Sequence, residues 1–252
     1  FRRGVPAVCA ANEPQDALEE LQARAAEIGV SSLSIATLDA VPAGAVLGMH
    51  GDFQRVNAAL AVAACRAWWK ENSTKRGGKK EEEKEEEEEE ERWIRAGLLN
   101  CRFAGRGQTV KTEWGLLLHV DGAHTPESLY ECGKWLAQTA HSKYAVVFAS
   151  KADRDGAALV KNLCSGLRCG GEFGLDKVLL VQMTPAKQYC PVTVLAEAWK
   201  AEAPEVEVSV VPGGPGAAVA ALSKGGYSEV LVTGSLYLVG DFLKLLNVDT
   251  TL

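Results

Sequence analysis

The sequence lacks the marks of membrane, nucleic-acid-binding and disulfide-rich proteins. No run approaches the roughly 18 apolar residues of a membrane span, and no basic cluster offers the positive face that a nucleic-acid groove needs. The seven cysteines are odd in number, scattered in spacing and without a CxxC pair. They fit reduced thiols in a cytosolic or organellar matrix and argue against a disulfide framework or a zinc site. No glycine-rich stretch continues into GKS or GKT, so the chain contains no P-loop.

The charge that is present is unevenly distributed. Of the net charge of −6, most comes from residues 75–92, KRGGKKEEEKEEEEEEER, which carry ten glutamates and six lysines and arginines. A glutamate block repels itself and has no apolar face to bury, so we predict a solvated linker or insertion over residues 73–97. Transient helix is compatible with this composition. A specific docking tail is the alternative interpretation of the Glu-rich run.

From residue 98 onward, apolar strand candidates alternate with helix candidates. The strand candidates are residues 114–120, 143–150, 177–183, 206–211 and 228–234. The helix candidates are residues 126–141, 155–167, 191–203, 217–226 and 235–246. Nearly all-apolar strands that alternate with helices indicate a mostly parallel sheet covered on both faces. We therefore predict an α/β fold, with a Rossmann-like C-terminal domain over residues 98–252.

Residues 1–72 contain too few elements for an independent domain. Their patterns predict helices over residues 16–29 and 53–72 and short strands over residues 32–39 and 45–51. The chain does not begin with Met and opens without a helix or strand signal. We interpret this region as the C-terminal portion of a larger, incomplete domain.

The stretch DGAHTPES places polar residues where a buried strand delivers the chain to a helix. Asp121 follows the strand, Gly122 permits a tight turn, and Thr125 and Pro126 suit the N-cap and the first helical position. Ligands of open α/β sheets bind at such strand ends. An aspartate there can accept hydrogen bonds from ribose hydroxyls, and His124 can donate to a phosphate. A capped structural turn, with the aspartate bonded to local backbone, is the alternative.

Three further stretches carry the same kind of signal. Arg106 lies between two glycines in FAGRGQTV and suits a phosphate. Ser235 follows a strand and opens a helix, whose free N–H groups attract anions. Arg154 and Asp155 follow another strand in SKADRDGAAL. Their alternatives are a hinge arginine without a ligand, an ordinary cap, and a salt-linked loop in which Asp155 is the N-cap.

HGDFQRVNAALA places Gln54 and Asn57 three residues apart at the beginning of a helix, and therefore on one face. The Asn57 amide could recognise an adenine edge. Capping and solvation of the helix start are the alternative for both residues.

These motifs occur together, in this order, in a known family, and the chain resembles the folylpolyglutamate synthases of the Mur ligase superfamily. GDFQRVNAALA is similar to a family motif in which Phe53 replaces the usual histidine. FAGRGQ is similar to the family's tryptophan-proline-glycine-arginine segment, with Phe103 and Ala104 as departures. DGAHTPES, FASKADRD and VTGSLYLVGD resemble the next landmarks. The resemblance covers nearly the whole chain outside residues 73–92.

The resemblance implies a Rossmann-like C-terminal domain, preceded over residues 1–72 by the tail of a Mur-ligase central ATPase domain. Such enzymes use ATP to convert the γ-carboxylate of a folate to an acyl phosphate, which the amine of L-glutamate then attacks. The resemblance assigns nucleotide binding to Gln54, Asn57, Arg106 and Asp121, catalysis to His124, and glutamate binding to Ser235 and Arg154. No metal ligand is expected in this chain.

The implied cofactors are ATP and Mg²⁺, with the magnesium ligands and the P-loop expected upstream of Phe1 and no zinc. The implied partners are folates and L-glutamate, and no nucleic acid is expected. The enzyme is expected to be a monomer and to work in the cytosol, the mitochondria or both. The 252 residues alone are expected to be inactive. Dihydrofolate synthase shares the scaffold and is an alternative, because the pterin-binding residues that separate the two activities are expected upstream. A non-catalytic nucleotide-binding or interaction module is the alternative of a different class.

Overall fold

The computed structural model describes residues 1–73, 80–171, 173–224 and 226–248. The chain divides into two compact units. The first consists of Phe1–Gly48 and Asp52–Cys101, and the second of Met49–Gly51 and Arg102–Leu252. The functional assignment of the segments 1–72, 73–97 and 98–252 stays a prediction.

The first unit pairs two short parallel strands and packs a long helix against them. Its elements are β1 (Ala7–Ala10), α1 (Gln15–Ile28), β2 (Leu33–Ala36), a 3-10 turn (Leu38–Ala40), α2 (Phe53–Ser73) and α3 (Lys80–Asn100). Strand β1 pairs with β2 in parallel. Helix α1 ends as its sequence predicts, because Gly29 adopts the left-handed conformation and its N–H bonds to Ala25 O. Strand β1 was not predicted from the sequence.

The strand predicted over residues 45–51 is not formed, so that prediction is wrong. The backbone of this segment bonds elsewhere: Ala45 N–H donates to Pro42 O, and Gly48 N–H donates to Leu98 O of α3. Gly51 has a φ of +103°, which is incompatible with an extended strand. The three residues Met49–Gly51 then belong to the second unit.

Helix α3 continues through most of the segment predicted as a linker. Residues 74–79 and the side chains of residues 80–86 lie outside the described part, so the solvation predicted for the start of the Glu-rich run stays a prediction. Further along, Glu91 accepts a hydrogen bond from Arg95 Nε at 2.9 Å, the i,i+4 pairing that supports a helix. Beyond the glutamates, Leu98 packs against a cluster that contains Val41 and Ala58. The helix therefore has an apolar anchor at its C-terminal end.

The second unit is a six-stranded sheet covered by helices. Its strands are β3 (Gln108–Lys111), β4 (Leu117–Val120), β5 (Tyr144–Phe148), β6 (Leu175–Val181), β7 (Glu207–Val211) and β8 (Glu229–Thr233). Its helices are α4 (Pro126–Thr139), α5 (Gly156–Arg168), α6 (Val192–Glu202), α7 (Gly214–Lys224) and α8 (Leu236–Leu245). The strand order is β3-β4-β8-β5-β6-β7. Every pair is parallel except β3 with β4.

The sheet buries both faces, as the apolar strands predict. In β5, Val146 and Phe148 enter the cluster formed with α4, α5 and α6, whereas Ala145 and Val147 enter the cluster formed with α7 and α8. All five residues of β5 are buried. The predicted α/β class with a mostly parallel sheet is confirmed. None of the described helices combines the length and the apolar character that a bilayer crossing requires.

Candidate functional site

The carboxyl ends of β4, β8 and β5 lie side by side, because β8 pairs with β4 on one side and with β5 on the other. The loops that leave these three strands carry the DGAH, GSLY and SKADRD stretches. In parallel α/β sheets this edge is where ligands bind. The topology therefore brings together three stretches that are far apart in sequence.

Asp121 is buried at the end of β4, with 3% of its surface exposed. One carboxylate oxygen accepts the Gly107 N–H at 2.7 Å, and the other accepts the Ala123 N–H at 2.8 Å. Burial raises the pKa of Asp121, and the bonds from these two amides together with the Arg106 charge lower it only in part. Asp121 thus fixes the 105–107 turn to the strand end. This agrees with the alternative interpretation, in which the aspartate is bonded to backbone and stabilises a turn.

The turn of residues 103–108 is held at a second point. Gly122 N–H donates to Gly105 O at 2.8 Å, and Gly105 N–H donates to Gln108 Oε1 at 2.9 Å. A Cβ at Gly107 would lie 2.7 Å from His50 O. This turn positions Arg106 close enough to lower the Asp121 pKa, but Arg106 does not line the cleft described below.

We expect Asp121→Asn to lower the free energy of unfolding of the second unit by about 1–3 kcal/mol, the cost of an unsatisfied buried polar group. The amide retains one acceptor oxygen, so either the Gly107 or the Ala123 N–H loses its partner. Urea unfolding measures the loss. The exposed Asp176 on β6 supplies the matched control Asp176→Asn, and equal stability of the two variants would contradict the role given to the carboxylate.

His124 is held by both its backbone and its ring. Its N–H donates to Ser128 Oγ at 3.1 Å. Its ring Nδ1 lies 2.8 Å from Gly122 O, and since a carbonyl only accepts, Nδ1 carries the proton. The nitrogen left for a ligand is therefore Nε2. The predicted N-cap is confirmed, because Thr125 and Ser128 form a capping box at the start of α4, with Pro126 at the first helical position.

A cleft of about 490 Å³ opens at this edge of the sheet. Three residues predicted from the sequence line it together: His124, Arg154 and Ser235. Its volume lies within the range of small-molecule sites. The cleft therefore joins the predicted catalytic residue to both residues predicted to bind glutamate.

Ser235 is the N-cap residue of α8 but does not cap the helix through its side chain. Only 2% of its surface is exposed, and within the described part of the chain its Oγ has no hydrogen-bond partner. A buried hydroxyl without a partner is costly unless a ligand supplies one. The free N–H groups of the first turn of α8 also favour an anionic ligand at this position.

Sequence reasoning missed three residues of the cleft, Lys151, Lys187 and Tyr237. Lys151 directly follows β5, so its position at a strand end was an available signal. With Arg154 and Lys187 it gives the cleft three cationic side chains against the single carboxylate of Asp153. Asp155 is the N-cap of α5, as its alternative interpretation predicts. The excess positive charge suits a carboxylate or phosphate ligand.

Gln54 and Asn57 lie in the first unit, at the start of α2. The Asn57 amide donates to Gln54 Oε1 at 2.9 Å, and Gln54 is buried. The predicted placement on one helix face is therefore observed, whereas their nucleotide role stays a prediction.

Known proteins provide an independent comparison. The family described as dihydrofolate synthetase, C-terminal domain, matches residues 107–245, more than half of the chain. A folylpolyglutamate synthase of Arabidopsis thaliana is 30% identical over 145 residues, which cover 54% of this chain and 24% of that protein. The mitochondrial folylpolyglutamate synthase of Bos taurus is 29% identical over 184 residues, covering 65% of this chain and 31% of that protein. The chain thus spans about a quarter to a third of these relatives.

Solved structures share the fold. A bifunctional folylpolyglutamate synthase/dihydrofolate synthase with Mn, AMPPNP and L-glutamate bound superposes with a TM-score of 0.63 at 20% sequence identity. The match covers 98% of this chain and 55% of that one. At this identity the likeness establishes a shared fold.

Proposed function

The chain belongs to the family of dihydrofolate synthetase C-terminal domains, and from this we propose that it is the C-terminal part of a folylpolyglutamate synthase. Such an enzyme is an ATP-dependent ligase that joins L-glutamate to the γ-carboxylate of a folate. The curated relatives that the chain matches carry this name. The whole activity belongs to a longer polypeptide than the part matched here.

The observation that carries the proposal is the cleft at the ends of β4, β5 and β8. It combines an imidazole, His124, with an unpartnered buried hydroxyl, Ser235, and with the cations Lys151 and Arg154. Of the four buried side-chain polar atoms that lack a partner in the described part of the chain, the Ser235 hydroxyl is the one in a residue that lines this cleft. A dicarboxylate such as glutamate supplies the anionic oxygens that this set lacks.

We assign glutamate binding to Ser235, Lys151 and Arg154. One carboxylate accepts from the Ser235 hydroxyl and the amides at the start of α8, and the other lies against the cationic side chains. The arrangement orients the amino group for attack. Holding the nucleophile in place removes much of the entropic barrier to amide formation.

We assign proton transfer to His124. The glutamate ammonium must lose a proton before its nitrogen attacks the carbonyl carbon of the acyl phosphate. Because Nδ1 donates to Gly122 O, Nε2 is the ring atom that we propose as the acceptor for that proton. The new C–N bond forms as the C–O bond to phosphate breaks, and phosphate leaves with the electron pair.

We propose ATP and Mg²⁺ as the cofactors, with Arg106 of the second unit on the nucleotide. A nucleotide role for Asp121 is not supported by its two backbone hydrogen bonds, and that of Gln54 and Asn57 stays a prediction from the sequence. A related structure with Mn and AMPPNP bound supports a nucleotide and a divalent ion in the family. The described part of this chain contains no group of three or more His, Cys, Asp or Glu side chains that could hold a metal ion. We therefore propose that the ligands of the metal ion come from other parts of the enzyme.

Dihydrofolate synthase is the second candidate, because the matching family is described by that activity and a related structure is bifunctional. The two activities differ in the acceptor, dihydropteroate or a folate that already carries glutamate. We propose folates as the acceptor, a monomeric enzyme, and a cytosolic or mitochondrial location. A relative that is named mitochondrial supports the latter site.

The test uses the protein expressed from its complete gene, with ATP, Mg²⁺ and labelled L-glutamate. Tetrahydrofolate and dihydropteroate are compared as acceptors. We expect label transfer to tetrahydrofolate, and we expect Ser235→Ala to raise the KM for glutamate by about tenfold or more, since a hydrogen bond to a charged group is lost. Ser223→Ala is the matched control, because Ser223 is exposed and donates only to Ala220 O of its own helix.

Transfer to dihydropteroate alone would move the assignment to dihydrofolate synthase. Transfer to neither acceptor would exclude both ligase assignments and leave a binding module. A normal KM in the Ser235→Ala enzyme would remove Ser235 from the glutamate site without affecting the overall assignment.

A further inference from the structure

Lys151 lies between two tyrosine rings in the cleft. Its Nζ is 4.9 Å from the centre of the Tyr189 ring and 4.4 Å from the centre of the Tyr237 ring. Both distances are within the range in which an ammonium is attracted to the face of an aromatic ring. Among the residues that the structure describes, Lys151 makes no ion pair with a carboxylate.

The strand order explains why the two rings meet this lysine. Strand β5 lies between β8 and β6 in the sheet. Lys151 follows β5, whereas Tyr237 lies in the first turn of α8 after β8, and Tyr189 lies in the loop after β6. The two flanking loops therefore each deliver one ring to the side chain between them.

Tyr189 is fixed opposite Lys151 by backbone pairing. The two residues form an antiparallel bridge. Ala152 N–H donates to Gln188 O at 3.0 Å, and Cys190 N–H donates to Ser150 O at 3.0 Å. Residues directly opposite in such a pair carry their side chains on the same side. Tyr189 is 8% exposed and packs in a hydrophobic cluster, whereas Tyr237 is 63% exposed.

Resting on the proposed function, we propose that Tyr189 and Tyr237 are positioning residues that form an aromatic clamp, which holds the Lys151 ammonium ready for a carboxylate of L-glutamate. A ring face attracts the ammonium without cancelling its charge, whereas a carboxylate partner would neutralise it. The clamp also orders a long, flexible side chain before the ligand arrives, so the ligand does not have to order it on binding.

The clamp is testable in the absence of any ligand. Protons next to a ring face are shifted by the ring current, so the Lys151 ε-CH₂ resonance is expected upfield of the other lysines in the wild-type chain. We expect Tyr237→Leu to move it toward the common lysine position and Tyr237→Phe to leave it shifted. Lys151→Arg identifies the resonance. An unshifted wild-type resonance would overturn the clamp whatever the enzyme's activity.

Titration with L-glutamate, followed on the same resonance, tests what the clamp does. Tyr237→Leu is expected to raise the Kd about two- to fivefold, the effect of one exposed cation–π contact. Tyr237→Phe should restore wild-type binding. Trp114→Leu, which removes an exposed ring from the hairpin between β3 and β4, is the control for loss of an aromatic side chain.

An unchanged or lower Kd in Tyr237→Leu would overturn the clamp's role in binding, as would a wild-type Lys151 that does not respond to L-glutamate. In the complete enzyme the variant should raise the KM for glutamate and leave kcat nearly unchanged. Normal glutamate transfer with an unaltered KM would refute the clamp while the proposed function stands. If the wild-type enzyme transferred no glutamate to either acceptor, the proposed function would be refuted instead.

Discussion

Gly234→Ala is expected to lower the free energy of unfolding of the second unit by about 2–6 kcal/mol, the sum of backbone strain and overpacking. Gly234 joins β8 to α8 with a φ of +92°, which a residue with a side chain rarely adopts. A Cβ there would lie 2.4 Å from Ala149 O and 2.6 Å from the Phe148 ring. Neither neighbour can withdraw, because Phe148 and Ala149 are buried at the end of the central strand β5.

Thermal unfolding followed by circular dichroism measures this effect, which for a domain of this size corresponds to a fall in Tm on the order of 10 °C. Gly240→Ala is the matched control in the helix that Gly234 introduces. Its Cβ would meet nothing within 4 Å, and alanine is the better helix former by about 1 kcal/mol. The control should therefore be neutral or stabilising. Similar Tm values for both variants would contradict the tight junction at Gly234.

Glu229→Ala is expected to destabilise the second unit by about 3 kcal/mol or more, because the charged carboxylate accepts three hydrogen bonds and each bond to a charged group contributes about 1.5–3 kcal/mol. Glu229 is 3% exposed at the start of β8. Its carboxylate lies 3.1 Å from His119 Nε2 and accepts the His141 N–H at 2.9 Å and the Ser142 hydroxyl at 3.0 Å. Truncation leaves the buried His119 ring without this partner, whereas His141 and Ser142 are exposed.

The same group of residues sets a pH dependence with two separate windows. Burial lowers the pKa of His119 below 6.5, although Glu229 raises it in part. Burial raises the pKa of Glu229, but the hydrogen bonds from His141, His119 and Ser142 outweigh it and the net pKa falls below 4.5. Both groups therefore contribute stability at neutral pH that is lost on acidification: His119 from about pH 6.5 downward and Glu229 from about pH 4.5 downward.

Glu229→Gln separates the two windows. The amide still accepts the His141 N–H, so the fold is retained, and the loss of stability below about pH 4.5 should shrink. The loss that begins near pH 6.5 should persist, because burial of His119 does not depend on the carboxylate. The Asp121 pKa is raised, so that carboxyl contributes in the opposite direction. The contribution of Asp121 to the pH dependence is the same in the variant and the wild type, so it cancels in their difference.

Urea unfolding between about pH 3 and pH 8, a range that includes both windows, provides the measurement. Glu207→Ala is the matched control, since Glu207 also begins a strand and pairs with a cation, Lys177, at 2.6 Å, but its side chain is 65% exposed. Exposed pairs contribute little to stability. If Glu207→Ala were as destabilising as Glu229→Ala, burial would not be the reason for the effect.

The parallel sheet was predictable because its strands are apolar on both faces and its helices carry clear stop signals. Strand β3 was not, because the alternating sequence Gln108–Lys111 is short and polar, and only pairing with β4 makes it a strand. Strand β1 was missed because its four apolar residues are too few to show an alternation, and it becomes a strand by pairing with β2. Residues 45–51 are apolar enough for a strand, but Ala45 N–H bonds within a local turn to Pro42 O and Gly48 N–H bonds to Leu98 O of α3.

The site was predictable where a strand end coincides with a polar residue. His124, Arg154 and Ser235 all follow strands, and the structure brings them into one cleft. Tyr189 and Tyr237 were not predictable, because their place beside Lys151 follows from the strand order and not from local sequence. An aspartate at a strand end suggested a ribose contact, but both oxygens of Asp121 are bonded to backbone amides. Residue type alone therefore did not distinguish a binding role from a structural one.

The central position of β8 bears on how the protein is made. Strand β8 is the last described strand in sequence, yet it lies between β4 and β5. A nascent chain that has emerged only as far as Gly226 contains β4 and β5 without the strand that joins them. Their exposed edges are open to wrong pairing until β8 leaves the ribosome. Synthesis of β8 is therefore the step at which these two inner edges become paired.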